Sequence, residues 1–205
     1  MSVRVIALNC SLKRSHGRSS TARLLGELGE EFVKLDASFD VVRIADLNIV
    51  AGVSSNEGEG DDWPEVRRRI LDADVLVVGS PIWMGHHSSL AQRVCERMDA
   101  FLDEKRSDGS LPTAGKVAAC AIVGNEDGAH AASAALFQAL NDVGFTIPAT
   151  AVTYWVGEAM GDKNYVDLPH TPRAVAKATR QLAANAVHLA HQLKLSNFPA
   201  SGDVD

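Results

Sequence analysis

Short runs of β-branched and apolar residues alternate with stretches of helical period along almost the whole chain, and that alternation admits few folds. Val3 to Leu8 (VRVIAL) reads as a first strand. A Ser-rich loop then leads into a helix with Leu25, Leu28, Phe32 and Leu35 on one face. Phe39 to Ile44 (FDVVRI) gives a second strand, and Val75 to Val78 (VLVV) a third, continuously apolar as a strand covered on both faces must be. Lys116 to Val123 (KVAACAIV) is the fourth strand and Phe145 to Ala149 the fifth. Asp62 is placed to cap a short helix that has Pro64 in its first turn and Val66, Ile70 and Ala73 facing inward. Leu90, Val94, Met98 and Phe101 mark the next helix, Ala131 to Val143 an Ala-rich one stopped by Gly144, and Ala174 to Leu193 the last. The stretch Ser54 to Asp62 is too rich in Gly, Glu and Asp to be expected to pack.

Strands separated by helices imply an α/β three-layer sandwich around a five-stranded parallel sheet with right-handed crossovers. Pro148 falls inside the fifth strand, and proline is tolerated mainly on an edge, which agrees with the strand order 2-1-3-4-5. Such a sheet binds its ligand beyond the carboxyl ends of the strands, at the switch between strands one and three. Chemistry is therefore expected after Leu8, Val78 and Val123. Residues 1–195 read as one domain, and the last ten, SNFPASGDVD, as a flexible tail.

With a net charge of −6, the surface would repel phosphate backbones and anionic lipid, which argues against nucleic acid and membrane as partners. No apolar run approaches the ~18–20 residues that span a bilayer. The N-terminal MSVRVIALNC has no cleavage pattern after it and reads as the first strand, so a cytoplasmic location is expected. Cys10, Cys95 and Cys120 include no CxxC pair, which argues against a disulfide framework or a zinc or iron–sulfur site. Cys95 and Cys120 lie in apolar patterns and read as small core residues.

Three loops carry the candidate chemistry. Ser11 to Thr21 (SLKRSHGRSST) joins the first strand to the first helix, where free backbone N–H groups and the helix dipole favour an anion. Ser11, Ser19, Ser20 and Thr21 add hydroxyl donors, Arg14 or Arg18 adds charge, and Gly17 lets the backbone bend; plain helix capping is the competing reading. The loop lacks both GxxxxGK[ST] and GxGxxG. Ser80 to Ser88 (SPIWMGHHS) follows the third strand, with Pro81 expected to stop it and Gly85 to allow a tight turn. Trp83 and Met84 then stand at the sheet rim as an apolar wall for a flat cofactor, or as ordinary rim packing. His86 and His87 have no third ligand at matching spacing, so no metal is expected. Gly124 to His130 (GNEDGAH) is a second tight strand-to-helix loop, whose amides would face the same ring unless Asn125 and His130 serve only as caps.

These three loops, in this order and after strands one, three and four, resemble the NAD(P)H-dependent FMN reductase family of the flavodoxin-like fold. Pro81, Trp83 and Gly85 match its P-x-[YW]-x-G loop, and Gly124 and Gly128 its Gly-rich turn. Asn9-Cys10 stands where a glycine is common before Ser11, and Leu12 replaces a frequent proline. The resemblance covers about Ser2 to Trp155 and implies a flavodoxin-like domain that binds FMN and takes hydride from NAD(P)H. It implies Ser11, Arg18, Ser19, Ser20 and Thr21 at the FMN phosphate. It further implies Pro81, Ile82, Trp83, Met84 and Gly85 flanking the isoalloxazine ring, and Gly124, Asn125, Glu126 and Gly128 at its far side. A homodimer or higher homo-oligomer and a small-molecule electron acceptor are implied as partners.

Because the flavin carries the electrons, no catalytic side chain is required or assigned. One rival is a flavodoxin-type electron carrier, although Arg14, His16, Arg18, His86 and His87 suit an anionic dinucleotide better. A second is a low-molecular-weight phosphatase with Cys10 as nucleophile. Its loop needs an arginine six residues on, where this chain has His16. A third is a scaffold or interaction module that has lost the flavin. Tyr154 to Leu168 is longer than an ordinary connection, so Trp155 and Tyr165 would cover the flavin, meet a second subunit, or wrap the last helix.

Overall fold

A computed structural model of the chain describes residues 2–158 and 161–199. The strands are β1 (Arg4–Asn9), β2 (Ser38–Arg43), β3 (Val75–Trp83), β4 (His86–His87), β5 (Val117–Gly124) and β6 (Val152–Val156). The helices are α1 (Ser20–Val33), α2 (Trp63–Asp72), α3 (Ser89–Met98), α4 (Ala129–Asp142) and α5 (Arg173–Leu195). Five strands pair in parallel in the order β2-β1-β3-β5-β6, and the two-residue β4 folds back antiparallel on the end of β3. With β4 set aside as a hairpin, this is the expected 2-1-3-4-5 order.

Both faces of the sheet are covered, which is why its central strands show no apolar alternation in sequence. Ile6, Leu8, Leu76, Val78 and Ile122 point into one core with α2, α3 and α4, contributed by Trp63, Val66, Ile70, Val94, Met98 and Leu136. Their neighbours Val5, Ala7, Val75, Val77 and Val123 point the other way, against Leu24, Leu25, Leu28 and Phe32 of α1 and Leu182, Ala183 and Ala186 of α5. Alanines at three of the eight positions of β5 would gain little from burial themselves, but they let helices approach the middle of the sheet on both sides.

Several local expectations change. The fifth strand is Val152–Val156 rather than Phe145 to Ala149. Thr146 makes a single bridge to Val117, Pro148 then has no N–H to continue the ladder, and Thr150 turns at φ 55° before β6 joins the edge. Pro81 does not stop the third strand, which continues to Trp83 with Pro81 opposite Val123. Pairing to β1 ends at Gly79, so the proline sits where β3 has one open edge. Leu35 lies beyond the end of α1 and is exposed, Leu24 taking the inward place. Cys120 is fully buried as expected, whereas Cys95 is only partly so. Asp62 precedes α2 but does not cap it: its carboxylate accepts from the Asn48 N–H at 2.7 Å. Of the expected tail, Ala200 to Asp205 lie outside the described residues; among the rest, Asn197 packs beside Gly115.

The last change is the acidic stretch 54–62, which is anchored rather than loose. The Asp61 carboxylate is inaccessible to solvent and bonds the equally inaccessible Arg97 guanidinium at 2.7 Å. Arg97 also donates to the Val50 carbonyl at 2.9 Å and lies 5.7 Å from the Trp63 ring. Burial pushes the Asp61 carboxyl up, but N–H groups of Glu57, Trp63 and Val50 together with Arg97 outweigh it and hold the group below the usual carboxylate range. Asp61→Ala leaves a buried cation unpaired and should cost about 3–5 kcal/mol, while Asp61→Ala with Arg97→Leu should cost less, as measured by urea unfolding. Because the folded pKa is depressed, this contribution is complete above about pH 4 and lost as pH falls through the folded value. The Tm gap between wild type and Asp61→Asn should therefore shrink on acidification.

Candidate functional site

The carboxyl ends of β1, β3 and β5 open into one cleft, at the point where the strand order reverses. Beyond Asn9 and Gly79 the β1–β3 ladder stops after a last bond from the Cys10 N–H to the Gly79 carbonyl. Two buried serines take over from it. The Ser88 hydroxyl donates to the Cys10 carbonyl at 2.7 Å and accepts from the Ala91 N–H at 3.2 Å, so it joins the first loop to the start of α3. The Ser80 hydroxyl accepts from the Ser88 N–H at 2.9 Å and donates to the Pro81 carbonyl at 2.8 Å.

The first loop is pinned rather than free. The Asn9 side chain accepts from the Ser11 N–H at 3.0 Å, and the Ser11 hydroxyl from the Lys13 N–H at 3.3 Å. Arg43 donates to the carbonyls of Lys13 and Arg14, and Asp46 accepts from the N–H and hydroxyl of Ser15. Ser19 caps α1 through its hydroxyl, which accepts from the Ala22 N–H at 3.2 Å. The Ser20 hydroxyl accepts from the Val166 N–H at 3.2 Å. Each of these two hydroxyls uses its oxygen on a backbone donor and keeps its own proton for an acceptor in the cleft. The amides of Ser20 and Thr21 and the Thr21 hydroxyl have no protein partner among the described residues. Such a set of N–H and O–H donors at a helix N-terminus suits a phosphate.

The second and third loops lock together. Ile82 and Trp83 pair with His87 and His86, leaving Met84 and Gly85 as a two-residue turn with φ 52° and 79°. Two positive φ values are the hairpin geometry that matches strand twist, and glycine takes the second at no cost while Met84 is strained. The Met84 N–H donates to the Glu126 carboxylate at 3.2 Å. A side chain at Gly128 would lie 2.5 Å from the Gly85 carbonyl, so the two glycines permit that approach.

Of the fourteen residues singled out in the sequence, nine line the cleft: Ser11, Ser19, Ser20 and Thr21, then Pro81, Ile82 and Trp83, then Gly124 and Asn125. Arg18 lies outside the lining, with its guanidinium 3.1 Å from Asp167 and largely in solvent. Met84, Gly85, Glu126 and Gly128 stand behind the wall and hold its two loops together; Met84 is 87% exposed at the hairpin tip. Leu12, Lys13, Val123, Trp155, Asn164 and Tyr165 also line the cleft. Leu12 and Lys13 sat inside a loop already marked; nothing in the sequence said that Asn164 and Tyr165 return to α1. Tyr165 is buried in the cleft wall, packed 5.4 Å from the Trp155 ring. Cys10 points into the core, and burial drives its thiol far above its ordinary pKa, which removes it as a nucleophile. His87 bonds Gln92, and no group of three metal-ligating side chains converges among the described residues.

Residues 3–160 match the family described as NADPH-dependent FMN reductase. The 8-demethyl-8-aminoriboflavin-5'-phosphate synthase of Streptomyces davaonensis is 30% identical, over 95% of this chain and 79% of that protein. A crystal structure of RosB with the bound intermediate 8-demethyl-8-formylriboflavin-5'-phosphate is similar at a TM-score of 0.86 and 28% identity, over 98% of this chain and 84% of that one. A Mycobacterium bovis protein described as divalent metal cation transporter MntH is 35% identical over 80% of this chain, but the chain spans only 25% of that protein's length. An apo NADH:FMN oxidoreductase, at a TM-score of 0.64 and 18% identity over 93% of this chain and 90% of that one, shares the fold.

The contact between the second and third loops is open to test. Gly128 sits at φ 122° with backbone as its neighbour, so Gly128→Val must displace the hairpin. A loss of about 1–3 kcal/mol in unfolding free energy is expected. Gly109→Val, at φ 81° but in open space, should cost less.

Proposed function

Because the chain belongs to the NADPH-dependent FMN reductase family, we propose that it binds FMN in the cleft and passes hydride equivalents from NAD(P)H to a small-molecule acceptor. The single observation that carries this reading is the cleft itself: a phosphate-type donor set at the N-terminus of α1 and an apolar wall ending in Trp83 face one space. The donor set fits a phosphate monoester, with Ser11, Ser19, Ser20 and Thr21 donating and Lys13 supplying charge, while Arg18 is held by Asp167. Pro81, Ile82 and Trp83 would flank the ring, Gly124 and Asn125 would border its far side, and Met84, Gly85, Glu126 and Gly128 would keep those loops in place.

Bound FMN supplies the two-electron chemistry, so the protein's part is orientation and access. The pinned first loop carries Lys13 and Arg14, with Arg18 and Arg43 beside it, on a chain of net charge −6. That local excess of cations supports an anionic dinucleotide over the acidic surface of an electron carrier. Leu12, Trp83 and Met84 leave an exposed apolar rim at the cleft mouth, which supports a homodimer in which a second copy closes the open side. Three free cysteines support a reducing, cytoplasmic setting, and residues 1–195 are read as one flavin-binding domain. No helix among the described residues is long and apolar enough to cross a membrane.

A second reading treats the flavin 5'-phosphate as substrate, and the Streptomyces davaonensis relative favours it. One experiment separates the two. Purified protein is loaded with FMN, desalted, and titrated with NADPH or NADH without oxygen, and the flavin is then released and analysed by mass. Retained flavin that bleaches with a nicotinamide and is released unchanged is the expected result. A flavin altered at its ring would favour the second reading, and failure to retain FMN would overturn the first.

A further inference from the structure

Two turns into α1, away from the proposed ligand, the Glu27 carboxylate gathers three donors. It accepts from Arg23 Nε at 2.9 Å, from the Thr171 hydroxyl at 2.6 Å and from the Tyr165 hydroxyl. Arg23 donates in turn to the Tyr165 and Leu168 carbonyls, each at 2.7 Å, and its guanidinium lies 4.8 Å from the centre of the Tyr165 ring. Nearer the N-terminus of α1, the Val166 N–H bonds the Ser20 hydroxyl at 3.2 Å, while Arg18 reaches the Val166 carbonyl at 3.3 Å. Residues 164–168 are thus strapped across the first two turns of α1 by side chains of that helix and its entry loop. The same strap delivers Asn164 and Tyr165 to the cleft wall.

We propose that Glu27 and Tyr165 are positioning residues for the phosphate end of the site, which set its preference for a flavin 5'-phosphate over the unphosphorylated flavin. The inference rests on the flavin reading of the cleft. Its chemistry lies in Ser20. A hydroxyl has one proton, and while Val166 occupies the oxygen that proton is left for an anion inside the cleft. If the strap lifts, Ser20 loses its fixed direction and water enters beside the helix amides, where it competes for the phosphate. Burial raises the Tyr165 phenol above its ordinary pKa, and the Glu27 carboxylate adds to the shift, so this hydroxyl stays protonated and keeps donating across the working pH range. Trp83 and Gly124, proposed at the ring end, share no hydrogen bond with this network among the described residues, and Tyr165→Phe keeps the aromatic contact with Trp155 that links the two ends. Loss of the strap should therefore be felt by the phosphate and scarcely by the ring.

The test compares FMN with riboflavin on Tyr165→Phe, Glu27→Ala and Glu27→Gln, with dissociation constants from flavin fluorescence quenching and apo-protein melting by circular dichroism. Tyr165→Phe should weaken FMN about tenfold, the scale of one charge-assisted hydrogen bond, and change riboflavin less than about twofold. Glu27→Gln keeps an acceptor for the phenol and should recover part of the FMN affinity lost in Glu27→Ala. If Tyr165→Phe does not fold, Thr171→Val removes one outer bond to Glu27 and should give the same selective loss on a smaller scale. Equal losses for the two flavins would mean a merely structural role and overturn the inference, as would unchanged FMN affinity. Wild-type protein that retains neither flavin would overturn the flavin reading itself, and the inference with it.

Discussion

The cleft exists because two buried serine hydroxyls continue the sheet where its ladder gives out. β1 and β3 part after Asn9 and Gly79, and two diverging chains would leave buried carbonyls and amides without partners. Ser88 bonds the Cys10 carbonyl, Ser80 bonds the Ser88 amide, and both side chains are almost wholly inaccessible. The parting is thereby fixed in width. One branch enters the first loop and α1, the other enters the Trp83 hairpin and α3. Every later feature of the site takes its position from that fork.

Around the fork the structure divides labour between helix end and hairpin. The N-terminus of α1 offers donors held in place by their own backbone bonds, which suits a charged, strongly hydrated group. The hairpin offers apolar surface and a strained residue at its tip. Met84 tolerates its positive φ because Glu126 takes its N–H and Gly128 admits the turn beneath it, so the strain is maintained by the neighbouring loop rather than by the hairpin alone. The second and third loops consequently behave as one wall, and a change in either is transmitted to the other.

Much of this was legible in the sequence, and the reasons are particular. The central strands declared themselves because burial on both faces forces unbroken apolar runs, as in VLVV. The loops declared themselves because Ser, Gly and Pro cluster after each run. The first loop could be marked but not resolved into ligands: Arg14 and Arg18 both offered charge, and only Asp167, 149 residues further along than Arg18, draws Arg18 away. Strand five was misplaced for a similar reason. Phe145 to Ala149 has strand composition, yet the missing N–H of Pro148 and the turn at Thr150 push the edge strand to Val152. The acidic stretch 54–62 read as unpacked because its partner Arg97 lies on α3, far along the chain.

These failures share one physical cause, and it bears on how the site is built. Periodicity reports on a residue's own element, whereas ion pairs and hydroxyl networks report on elements that meet only after folding. The strap over α1 is made wholly of the second kind: Arg23, Glu27 and Thr171 carry no periodic signal, and the bonds joining Arg23 and Glu27 to Thr171 and Tyr165 form only when the chain returns after β6. A site assembled from strand ends alone would have its first loop open to water along the flank of α1. The returning segment closes that flank with Tyr165 and Asn164 and presents the Val166 amide to Ser20. The connection after β6 is long because it must come back across the sheet's end to α1 before α5 can begin.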